Sequence, residues 1–419
     1  MSASYPGAQK TKRPTIKDIA ARAGVSKTTV SFALNDPSRI SEATYRRVMD
    51  IVNELDYVPS PVARTLTTKR LGALGLLLPQ SITEALGNPY VVEIIRGIGE
   101  VCEPRELSLT MLPPVKGKVI EAARRAFVDG LITIGVGPDH EVVDLLTKRH
   151  IPFVTIDGAE SEATPNVGID DEGAAYELMR HVLALGHRKI AILSLMPEAV
   201  YLPEWSFSLV RDMRLSGFSR ALGEAGLGLD SDGILVLPTG GTFEGGARVS
   251  IGLLADEARR PTAIVSMADA AALGVYETCR DLGISIPDEL SVAGFDDIPM
   301  ATMASPPLTT VRQPGREKGR AAASLAIELL EGAPATHRRL ETVLAPRAST
   351  AAPRSAPPVG APAAMPRAAS TAVKAADAAA QDSAGPSSLT AQGGSAATST
   401  SPAGRSGSAL SRRPGSRRA

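Results

Sequence analysis

From Leu71 to about residue 350 the sequence alternates between two kinds of segment. Short, largely apolar runs (LGALGLLLP, LSLTML, GLITIG, PFVTID, KIAILSL, GILVLP, TAIVSM, LSVAGFD) are separated by stretches with helical spacing. The latter include YVVEIIRGIGEVCE, EVVDLLTKRH, EGAAYELMRHVLALG, RLSGFSRALGEAG, EGGARVSIGLLADE and ADAAALGVYETCRDLG. A strand apolar on both faces needs cover on both faces, and interleaved helices supply it. The pattern therefore predicts an α/β fold built on parallel sheets. Roughly 280 residues with about ten such units are better served by two lobes than by one core. Ligands of open parallel sheets sit beyond the carboxyl ends of strands. That makes Asp157, after FVTI, and Asp296 and Asp297, after SVAGF, candidate binding groups. The competing use of Asp296 and Asp297 is to cap the next helix.

Ahead of this body lies TIKDIAARAGVSKTTVSFALN, Thr15 to Asn35. Thr15 precedes apolar residues at Ile16, Ile19, Ala20 and Ala23, so its hydroxyl is placed to cap a helix. Asp18 sits where a capping box puts its carboxylate, and Gly24 suits the left-handed position that ends the helix. Ser26 can cap a second helix, with Val30, Ala33 and Leu34 on its apolar face. Lys27, Thr28, Thr29, Ser31 and Phe32 occupy the other face. A third periodic segment follows Ser41, with Ile40, Ala43, Val48, Ile51, Val52 and Leu55 as its apolar set. These make a three-helix module of helix-turn-helix type. A plain helical bundle is the bland alternative. Against it, the second helix offers hydrogen-bonding groups and no acid to repel phosphate. Residues 1–71 also carry twelve Lys and Arg against six Asp and Glu.

The 419 residues have no net charge, yet the charge is segregated. Residues 72–349 hold 25 basic and 37 acidic side chains, and residues 350–419 hold eight and two. Basic ends around an acidic body fit a chain whose ends meet polyanions. The two cysteines, Cys102 and Cys279, have no ligand-like neighbours, so neither a disulfide framework nor a zinc site is expected. MSASYPGAQKTKRP has no apolar core, and no run reaches membrane-spanning length; a cytoplasmic protein with no membrane partner is the expectation. After residue 350 large apolar residues almost vanish, which predicts a disordered tail. Its closing SRRPGSRRA either adds nonspecific DNA affinity or only solubilises.

Between head and body, Pro59 stops the third helix and Ser60–Pro61 can start a short one carrying Val62, Ala63 and Leu66. A helix this short is marginal alone. With Arg64, Lys69 and Arg70 around Leu66, the segment reads either as a minor-groove wedge or as an ordinary tether. His187 in LGHRKI reads as a structural turn residue. No His stands beside a Ser or Cys in a nucleophile-like setting, and neither GxxxxGK nor GxGxxG occurs, so no cofactor is expected.

TIKDIAARAGVSKTTVSFALN, RISEATYRRVMDIVNELDYVPSPVARTL, GNPYVVEIIRGI, HVLALGHRKIAIL, RLSGF, IPDELSVAGFDD and PPLTTVRQP together resemble the lactose repressor (LacI/GalR) family of transcription factors. The resemblance implies a homodimeric repressor of double-stranded operator DNA, with a periplasmic-binding-protein-like (type I) body that closes on a small effector. Carried over by position, Lys27, Thr28 and Phe32 would read bases. Thr15, Ser26, Thr29, Ser31 and Asn35 would hold the backbone, Leu66 would be the minor-groove wedge and Ala63 would pack on its two-fold mate. Phe32 departs from the pattern, where Arg or His is frequent. It offers only apolar contact, for instance to a thymine methyl. The implied effector pocket is Asp157, Arg214, Asp296 and Gln313, with Tyr90 and Phe243 as ring walls. Two carboxylates and a guanidinium suit vicinal hydroxyls, hence a sugar. Ala268 stands where many sugar-responsive members carry Asn, and Arg214 has the alternative of only pairing with an acid across the cleft. The Trp205 segment, residues 196–213, is either a pocket lid or a surface excursion.

The expected organisation is a basic arm at 1–13, the DNA-binding domain at 14–58, a hinge helix at 59–70, the two-lobed effector and dimerisation domain at 71–350 and the tail at 351–419. The function expected is a non-enzymatic DNA-binding repressor controlled by a small, carbohydrate-like molecule. Two rivals are an extracytoplasmic sugar-binding protein, opposed by the DNA-binding head, and an α/β enzyme with a regulatory head, opposed by the missing catalytic pair.

Overall fold

The structure, a computed structural model, describes residues 14–58, 70–137, 140–158, 160–161, 164–195 and 208–354. The arm, the hinge residues Ala63 and Leu66, the stretch around Trp205 and the chain beyond Arg354 lie outside the described residues.

The head contains α1 (Ile16–Ala23), α2 (Lys27–Asn35) and α3 (Glu42–Glu54). Thr15 and Asp18 form a reciprocal capping box, and Gly24 ends α1 at φ 63°, a backbone region that side-chain-bearing residues rarely enter. Ser26 and Ser41 cap the next two helices through the backbone N–H groups of Thr29 and Thr44. Ile19, Ala20, Ala23, Val30, Ala33, Val48 and Val52 form the buried core of the module; Ala43, expected in the apolar set of α3, is exposed, and Tyr45 and Met49 pack on the cluster from that helix instead.

The body has two six-stranded sheets. The first is ordered β11 (Arg338–Arg339), β5 (Asn166–Gly168), β4 (Phe153–Ile156), β3 (Gly130–Ile134), β1 (Ala73–Leu77), β2 (Ser108–Leu112), all parallel. The second is ordered β12 (Val343–Ala345), β10 (Thr309–Arg312), β9 (Ser291–Asp296), β8 (Ala263–Ser266), β6 (Ile190–Leu195), β7 (Ile234–Thr239), and only β12 is antiparallel. Each sheet is covered on both faces. The helices are α4 (Ile82–Gly87), α5 (Pro89–Cys102), α6 (Val119–Arg125), α7 (Glu141–Lys148), α8 (Asp171–Ala184), α9 (Ser208–Glu224), α10 (Phe243–Leu254), α11 (Asp269–Leu282), α12 (Pro299–Met303) and α13 (Gly315–Leu330). All eight apolar runs contain strands. The short β5, β10, β11 and β12 are additions, because they lack a long apolar run.

The chain crosses between the lobes three times. It leaves β5 for α8, which packs on α9 and the second sheet; it leaves β10 for α13, which packs on α5 and the first sheet; and it passes from β11 to β12. Leu340, on the last crossing, packs against the apolar clusters of both lobes. Gly97 on α5 and Gly319 on α13 let these two helices meet backbone to backbone: a Cβ on Gly97 would lie 2.9 Å from the Arg320 nitrogen, and one on Gly319 3.0 Å from the Ile98 nitrogen. That approach brings the start of α13 against the start of α5, where the body's polar groups gather. Among the described residues no helix is long and apolar enough to cross a membrane.

Candidate nucleic-acid interface and ligand cleft

On α2 the sequence-predicted residues share an acid-free helix. Lys27, Thr28 and Asn35 are exposed, and Thr29, Ser31 and Phe32 are half-buried. Several of them are already engaged. The Ser26 hydroxyl accepts the Thr29 N–H at 3.0 Å, Asn35 donates to the Ser31 carbonyl at 3.0 Å, and the Thr15 hydroxyl donates to Asp18 at 2.7 Å. Phe32 does not stand alone. The Arg39 guanidinium, on the 3-10 turn Pro37–Arg39, lies 4.8 Å from the centre of its ring. Arg39 also sits 3.9 Å from Asp36. Sequence reasoning passed over Arg39, although a base seven residues past a surface aromatic was there to be seen.

In the body, Asp157 and Asp296 occupy equivalent places, each just past or at the end of the fourth strand of its lobe, and both have positive φ, 54° and 131°. Between them runs a chain of hydrogen bonds. The Tyr90 hydroxyl donates to Asp157 Oδ2 at 2.7 Å. The ammonium of Lys318 donates to Asp157 Oδ1 at 2.5 Å, to Gln313 Oε1 at 2.7 Å and to the Tyr90 oxygen at 2.9 Å. Gln313 Nε2 donates to Asp296 Oδ1 at 2.5 Å. Gln313 sits on the β10–α13 crossing, so the chain of bonds spans the junction of the lobes. Lys318 is fully buried and was not among the expected residues. Its signal was its place on the apolar stripe of α13, in register with Ala322, Leu325 and Ala326.

Arg214 stands apart from this chain. It is buried, its Nε donates to Asp171 Oδ1 at 2.8 Å and its Nη1 to the Met267 carbonyl at 2.5 Å, and its guanidinium lies 3.6 Å from the Phe295 ring centre. Its acidic partner, Asp171 at the start of α8, belongs to the same lobe, so the pair does not reach across the cleft as the alternative for Arg214 had it. Asp296 and Asp297 do not cap α12: the Ile298 N–H goes to Asp269 Oδ2 at 3.0 Å, and Asp297 pairs with Arg312 and Arg347, each at 2.6 Å. Phe243, the first residue of α10, is half-buried and packs on the same second-lobe cluster as Tyr90. His187 is a structural residue, bonded to Thr262, Ser291 and the Ala351 carbonyl.

Burial sets the electrostatics. It raises the Asp296 carboxyl to about 6, with Arg214 and Gln313 opposing. It raises Asp171 against the pull of Arg214, and it takes Asp269 well above the carboxylate range, helped by the charge of Asp296. Burial, and then the neighbouring Asp157 charge, pushes the Tyr90 hydroxyl well up, so it serves as a donor. Among the described residues no group of three or more His, Cys, Asp or Glu is arranged for a metal.

Residues 15–60 match the family model for bacterial regulatory proteins of the lacI family, and residues 179–350 match the periplasmic binding protein-like domain. The HTH-type transcriptional repressor PurR of Photobacterium profundum is 34% identical over 328 residues, which is 75% of this chain and 91% of the relative. The chain belongs to the LacI family.

Among solved structures, the lac repressor dimer bound to operator and the anti-inducer ONPF superposes with a TM-score of 0.66 at 25% identity, covering 81% of this chain and all of the other. The complex of the transcriptional regulator CelR with cellobiose gives a TM-score of 0.58 at 27% identity, over 80% of this chain and all of the other. As a LacI-family repressor the chain is a DNA-binding transcriptional regulator and not an enzyme. Its head is the family's operator-binding module, its two-lobed body is a domain of the kind that holds small effectors, and the lac repressor that it resembles is a dimer in its operator complex.

Proposed function

We propose that this LacI-family repressor acts in the cytoplasm and releases its operator when a small, carbohydrate-like effector enters the cleft between the two lobes. The observation that carries the reading is the chain of hydrogen bonds from Tyr90 through Asp157, Lys318 and Gln313 to Asp296. A ligand that engages Asp296 at one end changes the geometry of a bonded path into the other lobe. Two states with different effector affinity are all that such coupling needs. The cleft's carboxylates accept from hydroxyls and its guanidinium donates to them, and the CelR–cellobiose complex supports a carbohydrate class. On the DNA side, Lys27, Thr28 and Phe32 are the base readers, with Arg39 held over Phe32. Thr15, Ser26, Thr29, Ser31 and Asn35 face the backbone. Ala63 and Leu66 act at the hinge, where Leu66 wedges the minor groove.

The full chain should select a near-palindromic duplex from a random DNA pool. Adding sugars one by one to the complex should then weaken binding for at least one of them. Release by a purine base and by no sugar would overturn the carbohydrate class. A Leu66→Ala chain with unchanged affinity for the selected duplex would remove the wedge.

A further inference from the structure

We propose that Lys318 is a specificity determinant that fills the first-lobe half of the cleft from within, so that the effector is gripped through Asp296 and Arg214 of the second lobe. The inference rests on reading the cleft as the effector site.

An ammonium has three N–H donors. In Lys318 each has an acceptor: Asp157 at 2.5 Å, Gln313 at 2.7 Å and Tyr90 at 2.9 Å. The group is wholly withdrawn from solvent, which a charge tolerates only when it is both paired and hydrogen-bonded. The partners are used up in turn. Asp157 gives one oxygen to Lys318 and the other to the Tyr90 hydroxyl. Gln313 gives its oxygen to Lys318 and an N–H to Asp296. Asp157, Gln313 and Tyr90, three of the polar side chains expected to meet the effector, are therefore committed inside the protein.

The second lobe is different. Arg214 uses Nε and Nη1 within the protein, and Nη2 has no acceptor among the described residues. Asp296 accepts from the Gln313 side chain and from the Asp269 backbone, which leaves lone pairs on a carboxylate for a further donor. These two groups lie on elements of one lobe, so the favoured ligand presents a donor to Asp296 and an acceptor to Arg214 on the same side. A polyol held by carboxylates from both lobes would have to compete with a tethered ammonium for Asp157.

Removing the ammonium should open that half. Lys318→Met leaves Asp157 with Tyr90 as its donor, and its free oxygen can then accept a sugar hydroxyl. A charge-assisted hydrogen bond of this kind corresponds to an affinity gain on the order of tenfold or more. The experiment is calorimetric titration of the full chain, its Lys318→Met variant and the Lys318→Met/Asp157→Asn double variant with cellobiose, D-ribose and adenine. The single variant should bind at least one of the two sugars about tenfold more tightly than the parent does. The double variant should lose that gain, and the adenine affinity should not follow the pattern. A thermal midpoint lowered by roughly 10 °C is expected in the single variant, because it buries an unpaired carboxylate. If that variant does not fold, Lys318→Gln takes its place; its single neutral amide donor competes for Asp157 less than an ammonium does, so a gain in the same direction but smaller is expected. Equal sugar affinity in parent and variant overturns the proposal, and so does the absence of sugar binding in the variant. A tenfold loss of sugar binding on Asp157→Asn alone, at an unchanged midpoint, overturns it too. An operator complex that no ligand releases would instead sink the effector reading, and the variant comparison shows which of the two has failed.

Discussion

The guanidinium of Arg214 and the carboxylate of Asp171 form a buried ion pair in the second lobe, 2.8 Å apart with the two side chains 4% and 5% exposed. Removing one member of such a pair strands the other charge without water. Arg214→Ala is therefore expected to cost roughly 3–5 kcal/mol of folding free energy, measured by urea unfolding. Asp171→Asn should recover part of that loss in the double variant, and additive losses would remove the coupling. Arg214→Lys should be only partly tolerated, since an ammonium cannot donate as a fork to Asp171 and the Met267 carbonyl while lying flat on Phe295. A loss of effector response in Arg214→Ala carries meaning only beside the stability of the same protein.

Arg39 and Phe32 act as a unit if the ring holds the guanidinium toward DNA. For a selected operator, Arg39→Ala should weaken binding about tenfold and, for a phosphate contact, lower the slope of log affinity against log salt by about 1. Phe32→Ala should weaken binding in the same direction by less. An exposed cation–π contact is worth about 0.5–1 kcal/mol, so the double variant should fall short of the sum by that amount. Fluorescence anisotropy over a salt series measures all three, and strict additivity would separate the two residues.

How far the fold could be read ahead of the structure follows from where the chemistry is local. A strand such as KIAILSL is apolar on both faces and declares a covered parallel sheet on its own. Thr15, Ser26 and Ser41 each cap a helix a few residues away, so their roles needed no tertiary knowledge. NVG of β5 and TTVR of β10 are too short or too polar to declare anything until their neighbours are in place. The site divides the same way. Asp157 and Asp296 were found because each comes at or just after the end of a strand. Lys318 declares nothing locally because two of its three partners, Asp157 and Tyr90, are 161 and 228 residues away in sequence. Asp171 looked like an ordinary first-turn acid until Arg214 was folded onto it.

Asp296 gives the body a pH dependence of definite sign. Its carboxyl stands at about 6 in the folded protein against an ordinary 3.8, raised first by burial. Between those values the folded chain holds more protons than the unfolded chain, so stability from this group is full below pH 3.8 and falls as pH rises through 6. Asp171 and Asp269 are raised too and act in the same direction. Asp296→Asn should flatten this part of the stability profile. It should leave the protein more stable than the parent at pH 7.5, by an amount on the order of 3 kcal/mol at most, and equally stable near pH 3.5. Urea midpoints across pH 3.5–8 test it, and an unchanged slope between pH 4 and 6 would remove Asp296 as the source.

The segment from Ser349 to Ala351 closes the second lobe although the sequence reading placed the tail at residue 351. Ser349 is fully buried; its hydroxyl donates to the Val292 carbonyl at 2.6 Å and accepts the Thr309 N–H at 2.7 Å. Thr350 reaches His181 and Thr309, each at 3.0 Å. The Ala351 carbonyl accepts from His187 at 2.8 Å and from the Ser291 hydroxyl at 3.0 Å, and its N–H returns to Ser291 at 3.0 Å. These bonds end within four residues of Arg354, the last residue described. A chain cut after Arg354 should therefore keep the parent's unfolding midpoint to within about 1 °C, since bonds that the cut does not touch keep their energy. A chain cut after Ala348 strands the Ser291, Thr309 and His187 groups in a buried setting. At about 1–3 kcal/mol for each orphaned group its midpoint should drop by roughly 10 °C or more. Ser349→Ala alone should lie between the two. A chain cut after Ala348 that melts with the parent would show that the second lobe is complete without this segment.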